Sequence, residues 1–449
     1  MVLTVRSKDA ASRRIRLSRG GINMLARLSS NFSRTRLAAM LAASTVFGVL
    51  SLAPSGAALG DEDERNEAAV KLLTTIPYPA DLQALHAFDI SWVDADTQLY
   101  YLGDRSNASV DVFDVKHNRF VKTIKAGFKG VVFNPNGSGN NDKSGPNGVV
   151  VSGRWLFVTD APSRVVAIDL TTDTKVSEVS TGGADGFRAD ELAFDARDGI
   201  ILAVNNADEP PFATLIKADN GHLSIAKKIV FDAAHGVDAT NGAEQPVWDA
   251  GTGRFYISIP QVGPNAKDGA VARINPNTGS VDALFPVEFC GPAGLTLGPN
   301  QDLLIGCSVV FDAAGAPWSA ADANSAAPTQ VIMDAKTGAI DSTVKGVGGA
   351  DEVWFNRGDG RYYIAARANP TGPVLGVVDA KGQSLVQIVP TVNAAGKPNV
   401  FPAGTAHSVA VNPHNNHALV PLPANNVAPN CLNGCIAVYG TPKREHDDD

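Results

Sequence analysis

Eight side chains in this sequence are the types that hold hard cations or move protons, and they recur in a common frame. Asp89, Asn147, Asp190, Glu244, Asp351 and His407 each stand at the start of a hydrophobic run. Glu191 and Glu352 stand one position later, so a frame shift of one residue would exchange them with Asp190 and Asp351. Carboxylates that converge repel one another, and a bound cation relieves that repulsion. Oxygen ligands suit Ca²⁺ first, and the one histidine admits Zn²⁺, Mn²⁺ or Fe²⁺. His407 is also the ring member suited to act as a base near neutral pH, with His86 as a candidate neighbour. The bland alternative is open too, since Asp before a strand caps turns and a channel mouth can be solvated by trapped water.

The elements that would gather these residues are visible as a repeat. Residues 89–104 and 190–205 align without a gap, each giving two hydrophobic runs around a tight turn. Residues 245–259, 352–366 and 408–422 fit the same frame, and 147–160 and 293–308 fit with a changed turn. A third run ends at Asp114, Asp169, Asp219, Asn275, Asp334 and Asp379. Units of this kind cannot bury their faces alone, so they stack or close radially. Alternating Val, Ile, Phe and Tyr bounded by Gly, Asn and Asp give strands. The expectation is an all-β, seven-bladed β-propeller of four-stranded blades spanning 59–440. The last blade shows three strands, so segment 71–79 is expected to supply its fourth and remove a free edge.

In a propeller, inner strands line the channel and begin on one face. The long connections 127–146, 232–243, 312–328, 390–406 and 423–433 fall on that face, while tight turns such as 251–253 and 358–360 fall on the other. Long loops on a rigid scaffold carry function, which marks a working face around an acidic channel mouth. Trp92, Trp248, Trp354 and Trp155 read as packing between blades. His414 and His417 fall in a turn on the opposite face.

Residues 1–36 hold nine basic side chains and one acidic, and 37–53 is nearly all apolar. With Ser55-Gly56-Ala57 as a cleavage site, 1–58 reads as a signal peptide and the protein as secreted or periplasmic. An uncleaved anchor is the competing reading, although the run is short for a span. Removing 1–58 takes nine of the 38 Lys and Arg but one of the 46 Asp and Glu, leaving a net charge near −16. That balance argues against nucleic acid or an anionic membrane as partner. Residues 441–449 read as an acidic, disordered tail. The four cysteines suit Cys290–Cys307 and Cys431–Cys435 disulfides, with a Cys-based metal site as the alternative. Neither a haem-attachment sequence, a dinucleotide fingerprint nor a Gly-x-Ser-x-Gly elbow is present.

Pro146-Asn147-Gly148-Val149 and the acidic strand starts resemble the senescence-marker, gluconolactonase and paraoxonase propellers. That resemblance implies a central divalent cation assisting lactone or ester hydrolysis, although those propellers have six blades. The Asp-x-x-Thr-Gly turns are similar to those of bacterial exported propellers of the YVTN or NHL kind. The expected function is binding of a small molecule or divalent ion at the channel mouth by a monomer, extending to metal-assisted hydrolysis with His407 as base. The alternatives are a non-catalytic protein- or glycan-interaction scaffold on the same face and, third, a quinone-dependent oxidoreductase.

Overall fold

The computed structural model describes residues 69–318 and 329–442. The expected signal peptide, residues 319–328 of one long connection, and residues 443–449 of the expected tail lie outside the described residues.

Seven antiparallel four-stranded sheets form the blades of a β-propeller. Their inner strands are Phe88–Asp94, Val149–Ser152, Leu192–Asp195, Pro246–Asp249, Cys290–Leu297, Val353–Asn356 and Ala410–Asn412. Each contacts the inner strand of both neighbours, so the ring is closed. Strand Lys71–Pro77 is the outer strand of the seventh blade, pairing Ile76 with Ile436 and Lys71 with Gly440. The chain's first strand thus hydrogen-bonds to its last, as the missing fourth strand required.

Burial follows from this layering. Middle strands are covered on both faces, and Ser109–Asp114 is buried at every position. Outer strands meet solvent on one face, so Ser384–Pro390 alternates between exposed and half-buried residues. The hydrophobic core is therefore divided into seven clusters, one at each seam between blades. At the closing seam Ile76, Phe88, Tyr100, Leu419 and Ile436 pack together. Burying a side chain of this size contributes roughly 1.5–3 kcal/mol. Trp92 meets Trp354 edge-on at 5.1 Å, a packing contact as expected.

The pairing of third and fourth strands is interrupted by a register shift in every blade. Such a bulge increases local twist and blunts an outer edge. The repeated Asp turns are structural. Asp334 Oδ1 accepts from the Thr337 backbone N–H and from its hydroxyl, each at 2.7 Å, and Gly338 closes the turn at a φ of 75°.

Both disulfides are present, Cys290–Cys307 and Cys431–Cys435. One connection differs from its expected form. Residues 127–146 carry a β-hairpin, Gly130–Phe133 paired with Gly139–Gly145. Its strands lack hydrophobic alternation and are held instead by polar side chains. Asn140 Nδ2 donates to Asn134 Oδ1 at 2.7 Å, and Ser144 Oγ donates to Asn140 O at 2.6 Å.

Candidate functional site

The backbone places the ring residues in one equivalent position, blade after blade. Asn147, Asp190, Glu244 and Asp351 each donate an N–H to a second-strand carbonyl, at Thr159, Val204, Ser258 and Ala365. Those same second-strand residues donate back to Gly148, Glu191, Gln245 and Glu352. These four blades therefore offer two consecutive ring positions each. At blades two and five the second position is Gly148 or Gly294, because a Cβ there would collide with the backbone oxygen of Asp190 or Asp351.

Seven of the eight residues line a single axial cavity of about 550 Å³: Asp89, Asp190, Glu191, Glu244, Asp351, Glu352 and His407. Asn147 does not join them. It is fully buried behind the wall, where its Oδ1 accepts from Arg105 Nε at 2.9 Å and its Nδ2 donates to Ala189 O at 2.7 Å. Its role is to hold an arginine, and its carboxamide is not offered to a cavity ligand.

Three arginines at this cavity escaped the sequence reading. Arg105 ion-pairs with Asp89 and donates to Asn141. Arg188 Nη2 lies 2.5 Å from Asp190 Oδ2, and its Nη1 lies 3.5 Å from Asp89. Arg367 Nη1 lies 3.1 Å from Asp351 Oδ2. A signal for two of them existed. Arg105 follows strand Leu99–Asp104 and Arg367 follows strand Arg361–Ala366, so both end the second strand of their blade.

These guanidinium groups divide the carboxyls into two populations. Burial alone would raise the pKa of Asp89, but Arg105, His407 and Arg188 outweigh it and hold the group well below the usual carboxylate range. Burial raises Asp190 despite Arg188. Burial also raises Glu191 and Glu352 well above the usual range; Glu352 and Asp190 raise Glu191 further, Asp351 raises Glu352 further, and a hydrogen bond between the two carboxyls pushes Glu191 up and Glu352 down. Glu244 is pushed up to about 7 by burial and by Asp351. Among the described residues, none of Glu191, Glu244 and Glu352 has a Lys, Arg or His at ion-pair distance. Glu352 Oε2 is buried and receives no donor.

His407 is engaged at both ring nitrogens. Nδ1 lies 2.7 Å from Thr405 O, and Nε2 lies 3.3 Å from Asp89 Oδ1. Thr405 Oγ1 also lies 3.0 Å from Nδ1, so both ring nitrogens are occupied by protein partners. Its ring stacks on Phe88 at 5.0 Å, while His86 stacks on Phe401 at 3.8 Å. The two histidines share the cavity wall, each with its own aromatic partner.

The carboxylates and carboxamides are chemically apt for a hard cation. Among the described residues, however, no three His, Cys, Asp or Glu side chains are gathered as a metal site requires. The cavity is roofed from two sides. The hairpin contributes Ser138 to Asp142, and the loop between blades six and seven contributes Pro402, Ala403 and Thr405. The two meet where Asn399 N donates to Gly137 O at 2.8 Å.

No family model matches the chain, and no curated protein matches it. Among solved structures it is similar to the hydrazine synthase of Kuenenia stuttgartiensis, at 13% identity with a TM-score of 0.58. The match covers 80% of this chain and 96% of that one, and at this identity it shows the propeller fold alone.

Proposed function

We propose that this propeller is a binding protein whose axial cavity accepts a small solute carrying positive charge. One observation carries the reading: Glu191, Glu244 and Glu352 line one cavity wall and, among the described residues, none has a cation at ion-pair distance. Desolvated carboxyls in this state either retain protons or take a cation. Ca²⁺, Zn²⁺ and Mn²⁺ are candidate occupants by donor chemistry. The proposal is confined to binding, because both ring nitrogens of His407 are taken up by protein partners, Nδ1 by Thr405 and Nε2 by Asp89. We also place the protein outside the cytosol, in the secreted or periplasmic setting where two disulfides persist.

A second reading, a protein- or glycan-interaction scaffold, is favoured by Val400, Val427 and Leu432. All three are exposed on long connections of the working face.

Thermal unfolding of the protein lacking residues 1–58 tests the first reading. A ligand that binds only the folded state at 100 times its Kd adds about 2.7 kcal/mol. Ca²⁺, Zn²⁺, Mn²⁺ or ethylammonium should raise the melting temperature. The Glu191→Gln, Glu352→Gln double variant should lose the response. A melting temperature unmoved by all four cations would leave the scaffold reading in place.

A further inference from the structure

The occupant of the axial cavity can be narrowed, on the reading that the site takes a cation. We propose that it takes a small aminocarboxylate, seating the ammonium against Glu191 and Glu352 and the carboxylate on Arg367. Size speaks first. A cavity of about 550 Å³ is in the range of organic ligand pockets and far larger than one ion needs. The carboxyls come second. Three-way convergence, which a bare metal ion needs, is absent among the described residues. An ammonium asks for fewer ligands, since two hydrogen bonds, to the adjacent carboxyls of Glu191 and Glu352, can seat it while its third N–H meets water. Glu352 Oε2 is buried on that wall and lacks a donor, the complement of an ammonium N–H.

The anionic end of the ligand is specified by the arginines. Arg105 is consumed by Asp89, Asn141 and Asn147. Arg188 bridges Asp89 and Asp190. Arg367 makes one ion pair, from Nη1 to Asp351, and its side chain stays 41% exposed while lining the same cavity. A guanidinium in that state can present further N–H donors to a carboxylate in a forked contact. Glu191, Glu352 and Arg367 line the same cavity, so both seats face one ligand volume.

The test is a thermal-shift screen of the protein lacking residues 1–58, followed by calorimetry of any hit. The probes are the twenty standard L-amino acids, β-alanine and 4-aminobutyrate, each with its decarboxylated amine, plus CaCl₂, ZnCl₂ and MnCl₂. The expected result is one aminocarboxylate binding at least tenfold tighter than its matched amine. Arg367→Met should remove that advantage without weakening the amine, whereas Glu352→Gln should weaken both. An amine that binds as tightly as its aminocarboxylate overturns the carboxylate seat while the cation reading stands. Metal ions binding where no organic probe does overturns the ligand class but again spares that reading. Absence of any binding removes both.

Discussion

Replacing Glu244 by Gln probes the cavity carboxyls that lack an ion pair. Burial and Asp351 raise its pKa from 4.5 to about 7. Between those values the folded state holds a proton that the unfolded state has released. Stability therefore falls as pH rises through this window, and the full cost is present above the folded pKa. At 1.36 kcal/mol per pKa unit, that cost is about 3 kcal/mol at pH 8.5 and under about 1 kcal/mol at pH 5.0. Glu244 is half-buried, so solvent screening reduces the larger figure to about 1–2 kcal/mol. Urea unfolding in EDTA should show Glu244→Gln more stable than the parent by that amount at pH 8.5, with the gain shrinking towards zero at pH 5.0. A variant that is destabilised at both pH values, or gains equally at both, refutes the electrostatic account of the cavity wall.

Two further perturbations test the scaffold. Ile76→Ala should cost about 2–5 kcal/mol by leaving a cavity in the closing seam, while Leu72→Ala on the half-exposed side of the same strand should cost under about 1 kcal/mol; equal losses would mean that the seam carries no special weight. Removing the Cys290–Cys307 bridge, whose partners are 17 residues apart, should cost about 3 kcal/mol in a chain-entropy account, and a Cys290→Ala, Cys307→Ala protein with unchanged urea midpoint would contradict it.

The blade count, the closing strand and the ring positions were legible because all rest on one periodic frame. Asp190 and Glu191 fall at the cavity for the same backbone reason as Asp351 and Glu352, since each pair exchanges hydrogen bonds with one second-strand residue. What escaped was anything outside that frame or of opposite charge. Arg188 has no equivalent in the other blades, and Arg105 and Arg367 share a position at the end of a second strand, outside the acidic frame of strand starts. Asn147 sits in the frame, yet Arg105 draws its side chain behind the wall. The hairpin at Gly130–Phe133 and Gly139–Gly145 is built from Asn and Ser contacts, which hydrophobic periodicity does not register.

The seam between Lys71–Pro77 and Cys435–Gly440 also has a consequence in time. The chain is made from its N-terminus, so the strand that locks the ring is among the first synthesised and its partner among the last. Over 350 residues must be produced before the two can pair, and the loop between them is the longest closure in the molecule. The early blades can form from local hairpins, but the seventh is incomplete until the end, so ring closure is a late folding step. Moving the termini elsewhere by circular permutation, into the loop between two other blades, would make the closing pair a local contact and should shorten that step.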